Sequence, residues 1–186
     1  MRMLAGFALG EGLAVGDNPM ITYPMSHHEG LMKETVDFSS RHVLEGSIQF
    51  TALVVDPSGT ILGHGVNRVQ ELIDPTAHAE IEAIRNACGI HGMTHLLGAS
   101  LYASGEPCPM CYLSIVSAGI SRVFFAVDRD ESAEFGFDYR STYRLLAKDP
   151  RTWSRPVTTK LVVEGGARPF LEFHTAKCSH GGVSRP

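Results

Sequence analysis

The chain has 186 residues, a length that suits one domain with a sizeable core. Apolar residues make up 44% and charged residues 19%, close to the globular average, which excludes wholesale disorder. The net charge of −4 argues against a nucleic-acid partner, because a polyanion calls for a basic surface.

No apolar run approaches the roughly 18 residues that a membrane span needs, so no membrane partner is expected. The first stretch has no sustained apolar core either, being broken by Gly6, Gly10, Glu11 and Gly12. Four cysteines occur, Cys88, Cys108, Cys111 and Cys178, in a chain that is neither short nor cysteine-dense. That pattern predicts a reducing, cytoplasmic setting with free or metal-bound thiols. Cys88 reads as core and Cys178 as a spare thiol.

Residues 1–28 are rich in Gly, Pro and Met and read as a tail or leader, with Met25 an alternative start. A compact domain is expected over 29–180, followed by a short tail at 181–186. Leu31, Thr35, Phe38, His42 and Val43 recur at helical spacing and predict a helix over 31–44. Two β-rich runs, 50–55 and 60–66, flank Asp56-Pro57-Ser58-Gly59 and predict a hairpin. A helix over 79–87 follows, ended by Gly89 and Gly92, and then a strand over 100–104. Pro109 suits the first position of a helix over 109–118, where its missing N–H costs nothing. The remaining elements are a strand at 122–127, helical stretches from about 130 and over 141–147, a strand at 160–163 and a helix over 168–177. Strands alternating with helices after a hairpin predict an α/β fold in three layers, α/β/α, around a mixed sheet.

Two motifs carry chemistry. His78-Ala79-Glu80 opens one predicted helix, and Pro107-Cys108-Pro109-Met110-Cys111 opens another. Cysteines three apart project from one helical turn, and a helix N-terminus lowers thiol pKa. Two thiolates and an imidazole, Cys108, Cys111 and His78, make three zinc ligands, and a catalytic zinc leaves its fourth position to water. Glu80 is too close in sequence to His78 to be an equal ligand. It suits a proton shuttle between water and a leaving amine. A Cys-x-x-Cys pair alone would equally suit a redox dithiol or a disulfide, and a His-Ala-Glu alone could be core. Together, and in this order, they form the zinc-deaminase signature.

Asp74-Pro75-Thr76-Ala77-His78-Ala79-Glu80 and Glu106-Pro107-Cys108-Pro109-Met110-Cys111 resemble the cytidine deaminase-like superfamily, and within it the small bacterial guanine deaminases. Ala133-Glu134-Phe135-Gly136-Phe137-Asp138 is similar to a family stretch that lines the base pocket. The resemblance implies a five-stranded sheet, a homodimer and one zinc per subunit. It implies substrate contacts from Phe50 (stacking), Asn67 (hydrogen bonding), Ala77 and Asp138, and from Tyr139 at the position that follows Asp138. Phe50 also reads as a strand core residue, and Asn67 as a turn residue. The sequence departs from the guanine pattern at Gln49, where a Pro is usual, and at Tyr139, where a second acid reads the guanine edge. A phenol offers one donor where a carboxylate accepts two, so other aminopurines, triazines, pterins or a nucleoside stay open as substrates. Two other readings compete with a small-molecule deaminase. One is an adenosine or cytidine deaminase acting on tRNA or single-stranded nucleic acid. The other is a non-catalytic zinc scaffold, which would have no need of Glu80.

Overall fold

A computed structural model describes residues 24–156 and 158–180 of the chain. Residues 1–23 of the tail expected over 1–28, the tail expected over 181–186 and the side chain of Cys178 lie outside the described residues. The chain divides into two compact units, Met1–Arg144 and Leu145–Pro186. Among the described residues, no helix is long and apolar enough to cross a membrane.

The first unit opens with helix α1 (Met25–Leu44), followed by strands β1 (Thr51–Val55) and β2 (Ile61–Val66). A short α2 (Val69–Leu72) leads to α3 (Ala79–His91), then β3 (Ser100–Gly105), α4 (Pro109–Ala118) and β4 (Arg122–Val127). Next come α5 (Arg129–Glu134) and α6 (Arg140–Leu146), the latter crossing the unit boundary. The strands form one mixed sheet in the order β2-β1-β3-β4. β1 pairs antiparallel with both β2 and β3, whereas β3 and β4 run parallel and are joined through α4.

Burial follows position in the sheet. β1 (TALVV) and β3 (SLYASG) are buried at every residue, as central strands covered on both faces must be. The edge strands β2 and β4 are only partly buried. On one face, α1 presents His28, Leu31, Thr35 and Ser39 at steps of three and four. Leu31 joins Leu53, Val55 and Tyr102 in a cluster there. The Thr51 hydroxyl donates to the Thr35 carbonyl at 3.1 Å, tying helix to strand. This buried face agrees with the expected one at Leu31 and Thr35 and differs at Val43, which is exposed, while Ser39 is buried instead.

On the other face, α3 lies directly against β2. A Cβ at Gly65 would stand 2.2 Å from the Ala79 carbonyl and 2.3 Å from the Ala83 nitrogen; one at Gly63 would stand 2.6 Å from the Ala87 nitrogen. Glycines in the strand and an alanine every fourth residue of the helix therefore bring the two backbones together. The helix runs on past Ala87 to His91, because the residue that reverses the chain is Gly92, in the left-handed conformation at φ 61°.

The sheet has four strands among the described residues, where the resemblance implied five. Residues 160–163 pair with no strand there, and Leu161, Val162 and Val163 are 81%, 87% and 66% exposed. A strand needs a partner for its backbone groups as well as β-branched residues. In the second unit, Asp149 caps a short 3-10 turn, Pro150–Thr152, by accepting from the Arg151 N–H, and α7 (Arg168–His180) closes the chain. The backbone contact of α3 with β2 yields a test. Gly65→Ala is expected to cost about 3 kcal/mol or more of stability in urea unfolding; a loss below about 1 kcal/mol would mean that the helix can back away freely.

Candidate functional site

The site forms at one end of the sheet. There β2, β3 and β4 finish and β1 begins, as the pairings Thr51 with Val66 and Gly105 with Val127 show. The chain leaves β3 through Glu106 and Pro107 and enters α4. It reaches the same end again at the start of α3.

His78 and Cys108 occupy equivalent positions. Each is the N-cap of its helix in an extended conformation, and neither side chain caps its own helix. Both are thereby free to turn into the site. Cys111 follows one turn into α4 and is fully buried. The two helix N-termini place orphan N–H groups and partial positive charge around this spot. The three donor atoms form a near-equilateral triangle: His78 Nδ1 lies 3.6 Å from each sulfur, and the sulfurs lie 3.6 Å apart. A tetrahedral zinc, with bonds of about 2.3 Å to sulfur and about 2.0–2.1 Å to nitrogen, spaces its ligands by roughly 3.5–3.8 Å. The donor set and its spacing fit that ion. The sulfurs are unbonded, so the disulfide reading is not realised. Among the described residues, no other group of His, Cys, Asp and Glu converges in this way.

Charge is unevenly shared across the triad. The Cys108 thiol is pulled down to about 4, first by its hydrogen bond with Cys111 and then by that with His78. Cys111 is pushed up as the partner that keeps its proton, further opposed by burial and by Glu80. His78 is raised, chiefly by Cys108. A bound cation would displace the remaining protons, since thiolates and neutral imidazole are the ligating forms. Glu80, one residue into α3, is only 6% exposed. Burial pushes its carboxyl up, and its Oε2 lies 3.4 Å from Cys111 Sγ.

A cavity of about 480 Å³ opens over His78, Glu80 and Cys108. Phe50, Asn67, Asp138 and Tyr139 line it, so the structure brings these expected residues together. The Phe50 ring meets Phe137 edge-on at 5.2 Å, and it lies where a Cβ at Gly105 would stand 2.9 Å from Phe50 Cε1. Glycine at the end of β3 makes room for the aromatic wall. The Asn67 side-chain oxygen accepts from the Val69 N–H at 3.2 Å, so the turn-residue role is real and the amide NH₂ is the part left for a ligand.

Two expected contacts take a different form. Ala77 is fully buried outside the lining, with its N–H given to the Asp74 carbonyl and its carbonyl accepting from Arg68. Asp138 is on the wall, yet both of its oxygens are held by the Arg140 guanidinium at 2.9 and 2.8 Å, and its carboxyl falls to about 2. Sequence reasoning missed Glu106 and Gln70, which also line the cavity. Glu106 is buried, and its carboxylate receives the Arg129 backbone N–H, Nε and Nη2 at 2.9, 3.1 and 2.9 Å. Nothing local in the sequence links residues 23 positions apart.

Comparison with known proteins agrees with this geometry. The family model of the cytidine and deoxycytidylate deaminase zinc-binding region matches residues 25–127. The chain is 38% identical over 122 residues to guanine deaminase of Bacillus subtilis, covering 66% of this chain and 78% of that protein. It is 37% identical over 98 residues to the tRNA-specific adenosine deaminase of Aquifex aeolicus, covering 53% of this chain and 64% of that protein. The X-ray structure of the Bacillus subtilis guanine deaminase aligns with a TM-score of 0.72 at 34% identity, over 80% of this chain and 94% of that one. Matched over more than half its length by a family model that contains the whole triad, the chain belongs to the cytidine and deoxycytidylate deaminase zinc-binding family and is a zinc-dependent deaminase similar to guanine deaminase.

Proposed function

We propose that the protein hydrolytically deaminates a free amino-substituted heterocyclic base, with guanine the leading candidate, and releases ammonia. The observation that carries this reading is the buried Glu80 carboxylate beside the ligand triangle, on the floor of a cavity walled by Phe50 and Asn67. His78, Cys108 and Cys111 hold one zinc per subunit, and the bound ion supplies a Lewis acid that acidifies water. Glu80 takes one proton from the attacking water and gives it to the ring nitrogen; it then takes the second, from the new hydroxyl, and gives it to the departing amine as the carbonyl forms. Its raised affinity for protons matches a group that must both take and give one. One C–N bond breaks, one C–O bond forms, and a carbonyl and ammonia are left.

Phe50 stacks on the ring. The Asn67 NH₂ donates to an acceptor on the base edge, a ring nitrogen or carbonyl. The cavity volume of about 480 Å³ lies within the range of small-molecule sites. Similarity to guanine deaminases supports the purine, and the tied-up Asp138 keeps related aminopurines, triazines and pterins in the panel. The protein works as a homodimer in the cytoplasm; exposed Leu113 and Val116 on α4 offer an apolar face for a partner. Similarity to tRNA-specific adenosine deaminases favours the competing nucleic-acid reading, and the net charge of −4 opposes it.

Ammonia release is the direct test. Zinc-loaded protein is expected to turn over guanine or a related aminoheterocycle, and salt-sensitive editing of tRNA with silence on every free base would reverse the reading. Glu80→Gln is expected to lower kcat by about 10²–10⁴-fold with its zinc content unchanged; unchanged turnover would favour the scaffold role. Cys108→Ala should retain no zinc after dialysis and should melt as the metal-free protein does, and a full equivalent of zinc in that variant would contradict the ligand set. Asn67→Ala is expected to reduce kcat/KM by about 10-fold or more, seen in steady-state kinetics on whichever base is turned over.

A further inference from the structure

We propose that Tyr139 and Tyr143 are positioning residues for the metal triad, whose two hydroxyls fix the carbonyls of Glu106 and Pro107, the two peptide groups leading into Cys108. The proposal rests on the zinc reading above and assigns Tyr139 a role other than reading the substrate.

The segment that delivers Cys108 is poor in means of holding itself. Glu106-Pro107-Cys108-Pro109 has a proline on each side of the cysteine, so two of its four residues lack an N–H. Its Glu106 N–H is given to the Val127 carbonyl at 2.8 Å, which anchors the segment to β4. The Cys108 carbonyl accepts from the Tyr112 N–H at 3.0 Å as the first turn of α4. Between these two anchors stand the Glu106 and Pro107 carbonyls, the latter on a residue with no exposed surface to speak of. A buried carbonyl must find a donor.

The tyrosines supply one each. The Tyr139 hydroxyl donates to the Glu106 carbonyl at 2.6 Å. The Tyr143 hydroxyl donates to the Pro107 carbonyl. Tyr139 stands just before α6 and Tyr143 four residues later within it, and their ring centroids are 6.4 Å apart. Tyr143 is braced in turn. The Arg129 guanidinium lies 3.9 Å from the Tyr143 ring centre while gripping the Glu106 carboxylate. A closed circuit results: Arg129 of α5 holds the Tyr143 ring and the Glu106 side chain, and the tyrosines hold the Glu106 and Pro107 carbonyls.

Two successive peptide planes held from one side set the direction in which the Cys108 side chain leaves the backbone. The triangle of 3.6 Å edges depends on that direction. Outer-shell groups that orient ligands typically contribute 10–100-fold in metal affinity or activity.

The test is removal of each hydroxyl with its ring retained, Tyr139→Phe and Tyr143→Phe, in the full-length chain. Zinc affinity is read by competition with a chromogenic chelator, and triad geometry by the visible absorption of the cobalt-substituted protein. Each variant is expected to bind zinc about 10-fold more weakly and to shift the cobalt bands. For Tyr143→Phe, kcat should fall with KM unchanged, because that residue stands outside the cavity lining. A purely structural role would lower the melting temperature of metal-free and zinc-loaded protein equally and leave zinc affinity and cobalt bands as in wild type; that result in both variants overturns the proposal. Wild-type protein that binds no zinc would overturn the metal reading itself, and the clamp with it.

Discussion

The contact on which the site depends is the backbone approach of α3 to β2. Gly63 and Gly65 leave no side chain between strand and helix, and Ala79, Ala83 and Ala87 present the smallest ridge a helix can offer. The helix is thereby fixed in height and rotation against the sheet. Its first residues carry the imidazole and the carboxylate, so their position is decided by a packing contact that contains no functional group. Close packing of this kind leaves little room for adjustment, which suits a constellation that must hold its geometry without help from a substrate.

Two helices then meet head to head. Each begins with a ligand at its N-cap, and neither ligand is used to cap its helix. The unspent N–H groups and the aligned peptide dipoles favour negative charge there. Two cysteines fall in that field, and the thiol at the helix mouth is the one pulled down, first by its hydrogen bond with Cys111 and then by that with His78. Glu80 enters the same region from the other helix and is buried, which raises its hold on a proton. One end of the sheet thus gathers groups pushed in opposite directions: the Cys108 thiol is drawn towards the thiolate, and the Glu80 carboxyl towards its protonated form.

The wall of the cavity divides into groups that can meet a base and groups that are already engaged. Phe50 offers its face and Asn67 its NH₂. Asp138 is bound by Arg140, and the Tyr139 hydroxyl is given to a main-chain carbonyl. A polar residue that lines a pocket is a recognition group only if its hydrogen-bonding capacity is unspent. Selectivity in this chain therefore rests on fewer free polar groups than a residue count of the wall would suggest.

The convergence of His78, Cys108, Cys111 and Glu80 was legible in the sequence because both motifs sit at helix starts, where local spacing determines which atoms face the same way. The hairpin, the helices opening at Ala79 and Pro109, and the parallel strand at Arg122–Val127 followed from period and punctuation alone. The buried face of α1 followed only in part: Leu31 and Thr35 go inward as the spacing predicts, but Val43 is exposed and Ser39 is buried, its hydroxyl donating to the Gln49 carbonyl beyond the helix. The fate of Leu161–Val163 did not follow, since their composition suits a strand but the pairing depends on a partner. The partners of Glu106, Tyr139 and Tyr143 stand 23, 33 and 36 residues away. The sequence by itself determined which donors could meet: an imidazole, two thiols and a carboxylate, each at the start of a helix. Only the tertiary structure decided which polar groups remain free to act, because that depends on hydrogen bonds between residues that no local pattern connects.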